Sequence, residues 1–222
     1  MLETSTLKFL KNLNKNNNKA WFEANRKAYD AAKEAFEAFV ASVINELGKS
    51  DKEVGALKAR ECMFRINRDV RFSKDKSPYK TNMGASIKRG GKKSPYAGYY
   101  FHLEPGKSFT GGGIWMPDPE STKKIRQEIA YCYDEFKGII SSRKFKAVYG
   151  DLERDKEFTL INLPKGYEKD DPAGEYLKLK SWLATKELDD ATITSTGLKK
   201  AVVDSFITLQ PLLSFLNRAL ED

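Results

Sequence analysis

The spacing of apolar residues in the N-terminal third of the chain is helical. Leu7, Leu10 and Leu13 predict a short first helix. A longer helix follows the break at residues 16–18 and ends at Gly48. The apolar stripe of this second helix consists of Tyr29, Ala32, Phe36, Phe39, Val40, Val43 and Leu47.

Between residues 60 and 115 the pattern changes to alternation, which is typical of strands with one buried face. Gly90 and Gly91 suit a tight hairpin turn, and Pro105 and Gly106 occupy the central positions of a predicted type II turn. We predict an antiparallel meander of about four or more strands in this region. Its buried face is expected to contain Phe64, Ile66, Val70, Phe72, Met83, Ala85, Ile87, Tyr99, Phe101 and Leu103.

Helical spacing returns after residue 119 and again near the end of the chain. Ile125 to Ile139 predict a central helix, and a shorter helix is expected around residues 145–149. A last helix runs from Leu198 to Leu220, and Pro211 inside it is expected to kink or divide it. Residues 150–195 give no clear strand pattern, although a short helix before Trp182 is one interpretation. The predicted class is α+β, with the sheet packed on one face by N-terminal, central and C-terminal helices, in a single domain over residues 1–222.

The polar face of the predicted sheet is where a binding site is expected. Small residues between long cationic ones leave room above a sheet, and an arginine fork matches the geometry of a carboxylate or phosphate. In our first hypothesis, Arg65, Arg71 and Lys80 hold a small anionic ligand, with Asp69 orienting an arginine or acting as a base. Tyr100 and His102 line the wall, and Arg68, Lys74, Lys76 and Tyr79 are further ligand-binding candidates from the adjoining strand and loop. The alternative interpretation is a solvated face whose charges pair among themselves.

His102 and Asp69 are the two catalytic candidates. His102 is the only histidine, which excludes a two-histidine metal site and allows at most one imidazole acid or base. A single strand histidine is also often a hydrogen-bonded structural residue. We predict no metal and no cofactor. The row from Thr110 to Trp115 lacks the order of a phosphate-binding loop, so its glycines indicate close backbone packing.

Composition and charge leave several partners open. The chain is 40% hydrophobic and 32% charged, which is ordinary for a globular protein and excludes a disordered or membrane-spanning one. The absence of an apolar leader and of paired cysteines predicts a reducing, cytoplasmic location. The net charge is +8, and residues 58–93 hold the whole surplus with twelve basic and three acidic residues. A nucleic-acid binding module or a protein-interaction domain is therefore an alternative to the anion pocket, and enzymatic activity and oligomeric state stay open.

The chain resembles the conserved family catalogued as domain of unknown function 2461 (conserved hypothetical protein). The resemblance rests on five motifs, which are Leu10 to Tyr29 with its Asn16-Asn17 and Trp21-Phe22 pairs, Phe64 to Asn82, Gly111 to Pro117, Leu177 to Lys180, and Pro211 to Leu220. It implies one domain of nearly the full chain length, and no particular activity, substrate or catalytic residue. The motif from Phe64 to Asn82 coincides with the arginine-rich strand and loop selected above.

Overall fold

The structure is a computed structural model that describes residues 1–221. Within these residues the chain forms eleven α-helices, one short 3-10 helix at Lys156–Phe158 and four strands. The α-helices are α1 Thr4–Lys15, α2 Lys19–Ala24, α3 Arg26–Leu47, α4 Lys52–Gly55, α5 Ala59–Cys62, α6 Pro119–Tyr131, α7 Tyr133–Ser141, α8 Arg143–Tyr149, α9 Gly174–Leu177, α10 Asp190–Thr194 and α11 Leu198–Arg218. The strands are β1 Met83–Ile87, β2 Gly98–Leu103, β3 Ser108–Ile114 and β4 Trp182–Leu188, which form one antiparallel sheet in the order β1-β2-β3-β4. The predicted α+β class is confirmed.

The described chain divides into two compact units. Unit 1 contains residues Met1–Ile87, Tyr100–Thr110 and Glu187–Asp204. Unit 2 contains residues Lys88–Tyr99, Gly111–Lys186 and Ser205–Asp222, of which the last residue is not described.

In unit 1 the apolar stripe of α3 covers the buried face of the sheet. Phe36 and Phe39 lie with their ring centroids 5.9 and 5.0 Å from that of Phe101 in β2. The predicted core residues of β1 and of this part of β2 are all buried, as Met83, Ala85, Ile87, Phe101 and Leu103. Burying large apolar side chains against each other is the main force that holds such a helix on a sheet. The short first helix is confirmed as α1. The longer predicted helix is interrupted at Asn25, which separates α2 from α3, and α3 carries the whole predicted stripe.

Unit 2 has its own buried aromatic residues. Phe136 of α7 contacts both Tyr176 and Phe215, and the indole N–H of Trp182 donates to the carbonyl oxygen of Tyr176 at 3.1 Å. The predicted central helix is interrupted at Cys132, which separates α6 from α7. The short helix expected near residue 145 is α8.

The last predicted helix is α11, and Pro211 lies inside it without dividing it. Proline lacks an N–H and so removes one hydrogen bond, but the turns on either side continue.

The sequence prediction is wrong for the first strand of the meander. The chain there forms α5 and then pairs with its neighbour only through isolated bridges, at Met63 with Ala85 and at Asn67 with Tyr79. Met63 and Ile66, which are three positions apart, are both buried, so the side chains do not alternate regularly. As a result Phe64 is 43% exposed, and Phe72 is 95% exposed in the loop that follows.

Of the two predicted turns, one is confirmed and one differs. Gly106 has φ 72°, and the N–H of Lys107 donates to the oxygen of Glu104 at 3.0 Å, as a type II turn requires. Gly90 and Gly91 also have positive φ, but they lie in a ten-residue connection between β1 and β2 rather than in a tight hairpin. Residues Trp182–Leu188, where no strand is predicted, form β4.

Close backbone packing explains the glycine row of β3, as predicted. A Cβ added to Gly111 or Gly113 would lie 2.2 or 1.9 Å from a carbonyl oxygen of β4. One added to Gly112 would lie 2.2 Å from the oxygen of Gly98. Side chains at these positions would therefore push the strands apart.

Candidate functional site

Three side chains of unit 1 form a hydrogen-bonded cluster on the face of β2 opposite the core. Phe101 and Leu103 point into the core, so Tyr100, His102 and Glu104 lie on the other side. The Tyr100 hydroxyl oxygen lies 3.1 Å from His102 Nδ1, and His102 Nε2 lies 3.2 Å from Glu104 Oε2. We call these three residues the Tyr-His-Glu cluster.

The chemistry of the three groups fixes where the hydrogens lie. An ionised carboxylate only accepts hydrogen bonds, so His102 Nε2 carries the hydrogen and donates it to Glu104. Nδ1 is then the unprotonated nitrogen of the neutral ring and accepts from the Tyr100 hydroxyl. The Asn82 amide nitrogen lies 3.1 Å from Nε2, and in this tautomer the amide must rotate to present its oxygen. Thr81 donates to Glu104 Oε1 at 3.4 Å.

Aromatic rings enclose the cluster and set its protonation. Phe109 stacks on the His102 ring at 4.7 Å, and His102 is only 8% exposed. This burial lowers the pKa of His102 below its ordinary value of 6.5, although Glu104 acts in the opposite direction. Burial, helped by the charge of Glu104, raises the pKa of Tyr100 to about 12. At neutral pH the imidazole is therefore uncharged and the phenol keeps its proton.

Gly84 makes room for Tyr100. A Cβ at Gly84 would lie 2.5 Å from the Tyr100 hydroxyl oxygen, which is well inside van der Waals contact. The tyrosine ring thus crosses β1 at the one position that has no side chain.

Two cations lie at the edge of this cluster. The Nζ atom of Lys80 is 5.4 Å from the centre of the Phe64 ring, and the Phe64 ring meets that of Tyr100 edge-on at 6.3 Å. Burial lowers the pKa of Lys80, and the neighbouring charge of Arg65 lowers it further. Among residues 1–221, neither Arg65 nor Lys80 forms an ion pair with a carboxylate. We call these two residues the cation pair.

The other predicted basic residues lie in residues 68–77, which we call the basic loop. Arg71 donates to both carboxylate oxygens of Asp69, at 2.9 and 2.7 Å, which lowers the pKa of Asp69 and raises that of Arg71. Asp69 therefore orients an arginine, one of its two expected roles. Its lowered pKa makes it a weak base.

Arg68 holds the basic loop together from inside. Its guanidinium donates to the Asp75 carboxylate, to the Ser77 carbonyl oxygen at 3.2 Å and to Ser73 Oγ at 3.4 Å. Hydrogen bonds from Ser77, followed by the one from Arg68, lower the pKa of Asp75 to about 2. Lys76 donates to the Val70 carbonyl oxygen at 3.0 Å. Lys74 is exposed and has no hydrogen-bonding or ionic partner in the part of the chain that is described.

Tyr79 is not part of the open face. It is 6% exposed, and its ring stacks on Phe22 of α2 at 4.0 Å. Its backbone N–H donates to Asn17 Oδ1 at 3.1 Å, and Asn17 Nδ2 donates to the Tyr79 oxygen at 2.9 Å. The residue fastens α2 to the chain before β1, so we leave it out of the site.

The structure brings together Arg65, Lys80, Tyr100 and His102 from the predicted set, and adds Glu104 and Phe109. Glu104 directly precedes the turn residues Pro105 and Gly106 and is not among the predicted site residues, although it continues the alternation of Tyr100 and His102 by one further step. That alternation was the signal that could have identified it.

Among residues 1–221, no three His, Cys, Asp or Glu side chains cluster closely enough to hold a metal ion. Within the same residues, no helix is both long and apolar enough to cross a membrane.

The comparisons with known proteins assign a family. The family model described as conserved hypothetical protein (DUF2461) matches residues 5–215, so the chain belongs to that family. No curated protein and no solved structure matches it.

Proposed function

We propose that this member of the DUF2461 family binds a small anionic ligand, a phosphate or a carboxylate, at the cation pair beside the Tyr-His-Glu cluster. The observation that carries the proposal is that Arg65 lies close enough to Lys80 to lower its pKa, while neither side chain forms an ion pair with a carboxylate among residues 1–221. Arg65 also lowers the pKa of Asp69, but the Asp69 carboxylate is bonded to Arg71. Like charges held together destabilise each other, and an anion between them relieves that repulsion. Arginine supplies a planar fork and lysine a point charge, which is a common combination for phosphate or carboxylate.

The Tyr-His-Glu cluster supports this role as a fixed wall beside the cation pair. Both pKa shifts keep the proton on Tyr100, and the phenol donates it to His102 Nδ1. Glu104 fixes the His102 ring, and the ring in turn fixes the Tyr100 hydroxyl. His102 is thus a positioning residue in this proposal.

The test is a titration of isotope-labelled protein with inorganic phosphate and with acetate at low salt, followed by NMR chemical shifts. We expect saturable shifts at residues 64–66 and 80–84. Arg65→Ala or Lys80→Ala should weaken binding roughly tenfold or more, since a charge-assisted contact contributes about 1.5–3 kcal/mol. Lys107→Ala, an exposed lysine in the same unit, is the matched control and should bind as the wild type does.

If all three substitutions weakened phosphate binding equally, the effect would come from the overall charge of the protein. That result would contradict a defined site. Arg65 is exposed, so its replacement should change the free energy of unfolding by about 0.5 kcal/mol or less. A loss of several kcal/mol would instead assign Arg65 to the architecture of the fold.

We also propose a cytoplasmic location. Cys62 and Cys132 are both thiols, and thiols persist in a reducing compartment.

A further inference from the structure

Phe72 is the most exposed large apolar residue of the described chain, at 95%, and it lies in the basic loop. The exposure of Phe72 is not caused by a loop without internal contacts. Arg68 bonds to three groups of the loop, Lys76 bonds to the Val70 oxygen, and Arg71 is fixed by Asp69. The loop therefore holds Phe72 out in water through polar contacts of its own. An aromatic ring presented in this way loses its hydrophobic stabilisation unless something covers it.

The groups around Phe72 are cationic. The Arg71 guanidinium lies 5.7 Å from the centre of the Phe72 ring, and Lys74 is exposed two residues further on. Residues 58–87, all in unit 1, contain eight basic and three acidic residues. Two of these acids, Asp69 and Asp75, are already bonded within the loop. The segment that carries the exposed ring therefore has a net charge of +5.

We infer that the basic loop is a docking surface for single-stranded nucleic acid, with Phe72 stacking on a base and Lys74 and the neighbouring cations contacting phosphates. This combination of a flat aromatic ring and cations along a backbone path is what single strands require. A loop that is already fixed loses little conformational freedom on binding. The basic loop shares no residue with the cation pair of the proposed function, and the inference does not depend on that proposal.

Two other partners fit less well. A lipid surface needs several apolar side chains to enter it, and the loop offers only Phe72 beside a half-buried Val70. An acidic peptide could match the charge, but nothing in its chemistry provides a planar partner for the ring. Both are included as arms of the test.

The test measures binding of a fluorescein-labelled oligothymidylate of about 15 nucleotides by anisotropy, with the full-length protein at about 50 to 200 mM salt. We expect Phe72→Ala to weaken binding about fivefold to a hundredfold, which is the loss expected from removing one base stack. Phe72→Trp should retain binding. Tyr131→Ala removes an aromatic residue that is 91% exposed in unit 2, and should bind as the wild type does.

The salt dependence of binding measures the contribution of the cations separately from that of the ring. Lys74→Gln should lower the slope of log affinity against log salt by about 0.7, the value for one phosphate contact on a single strand. A duplex of the same length should bind less tightly, because its bases are already stacked.

Three results would overturn the inference. They are no binding of the oligonucleotide at low salt, equal binding by the wild type and Phe72→Ala, or equal competition by polyglutamate. Binding to phosphatidylserine vesicles that depends on Phe72, without binding to the oligonucleotide, would assign the loop to a membrane surface instead. Loss of phosphate binding in Arg65→Ala with normal oligonucleotide binding would separate this surface from the anion site.

Discussion

His102 is the chain's one histidine, so its ring gives a single NMR signal that can be followed through a pH titration. We expect a pKa below 6.5, because burial disfavours the charged ring more than Glu104 favours it. Glu104→Gln removes the group that raises the pKa and should lower it further. Glu34→Gln, an exposed glutamate in the same unit, should leave it unchanged. A pKa at or above 6.5 in the wild type would contradict the buried neutral ring.

The lowered pKa of His102 also determines how the free energy of unfolding changes with pH. A histidine whose pKa is lower in the folded state binds fewer protons there than in the unfolded chain. Its contribution to the free energy of unfolding is therefore full above about pH 6.5 and falls as the pH drops below that value.

The fit between Gly84 and Tyr100 leads to a second prediction for single residues. Gly84→Ala places a methyl group 2.5 Å from the hydroxyl oxygen and should lower the free energy of unfolding by about 1–3 kcal/mol. Adding Tyr100→Phe removes that oxygen but leaves the ring carbon at 3.1 Å, so we expect partial recovery. Urea denaturation of the two single variants and the double variant measures the coupling. Strictly additive losses would show that the two positions do not interact.

Single residues also show where sequence reasoning works. The alternation placed Met83, Ala85 and Ile87 correctly because β1 pairs regularly along its length. It misplaced Phe64 and Phe72 because isolated β-bridges, rather than a regular ladder of strand hydrogen bonds, hold residues 63–68. The apolar pattern does not distinguish isolated bridges from a regular ladder. The cation pair was predicted, whereas Glu104 was hidden by the turn signal of Pro105 and Gly106.

At the level of secondary-structure elements, β3 and the turn that precedes it depend on glycines for two different reasons that can be separated. Gly113 and Gly106 both have positive φ, at 125° and 72°. A Cβ at Gly106 meets nothing within 4 Å, whereas one at Gly113 lies 1.9 Å from the Trp182 oxygen in β4. Gly106→Ala should therefore cost only the backbone strain of about 1–2 kcal/mol. Gly113→Ala should cost about 4 kcal/mol or more.

Thermal melts of the two variants, together with their soluble yields, give the comparison. Equal losses would mean that only φ matters at Gly113 and that the approach of β4 does not.

The elements themselves were predicted unevenly. Long stripes such as that of α3 identify a helix from the sequence alone, because a 22-residue helix repeats the signal many times. In β4, which comprises the seven residues Trp182–Leu188, Lys186 alternates in phase with Trp182 and Ala184. A charged residue in this apolar series weakens the alternation. A strand whose alternation is interrupted in this way is identified by its pairing partners, which the sequence does not show.

For the whole molecule, the predicted single domain implies one cooperative unfolding transition. Strands β2, β3 and β4 and helix α11 each contribute residues to both units, so a unit cannot lose its part of these elements without interrupting a continuous strand or helix. We expect urea transitions measured by far-UV circular dichroism and by tryptophan fluorescence to coincide. Trp21→Phe confines the fluorescence to Trp115 and Trp182, which both belong to unit 2.

A fluorescence midpoint clearly separated from the dichroism midpoint in this variant would show two independently folding parts. The control is the same comparison in the wild type, where Trp21 also reports on unit 1.

The position of the Tyr100 ring across Gly84 also has an evolutionary consequence. Any ancestor that gained a side chain at position 84 had to shorten or displace the ring at position 100, and one that lost the ring was free to accept alanine or serine at 84. In an alignment of the family, these two columns are expected to covary, although they lie 16 positions apart in the chain. Sequences that keep glycine at 84 should be those that keep the tyrosine, and with it the histidine and glutamate that hold its hydroxyl group.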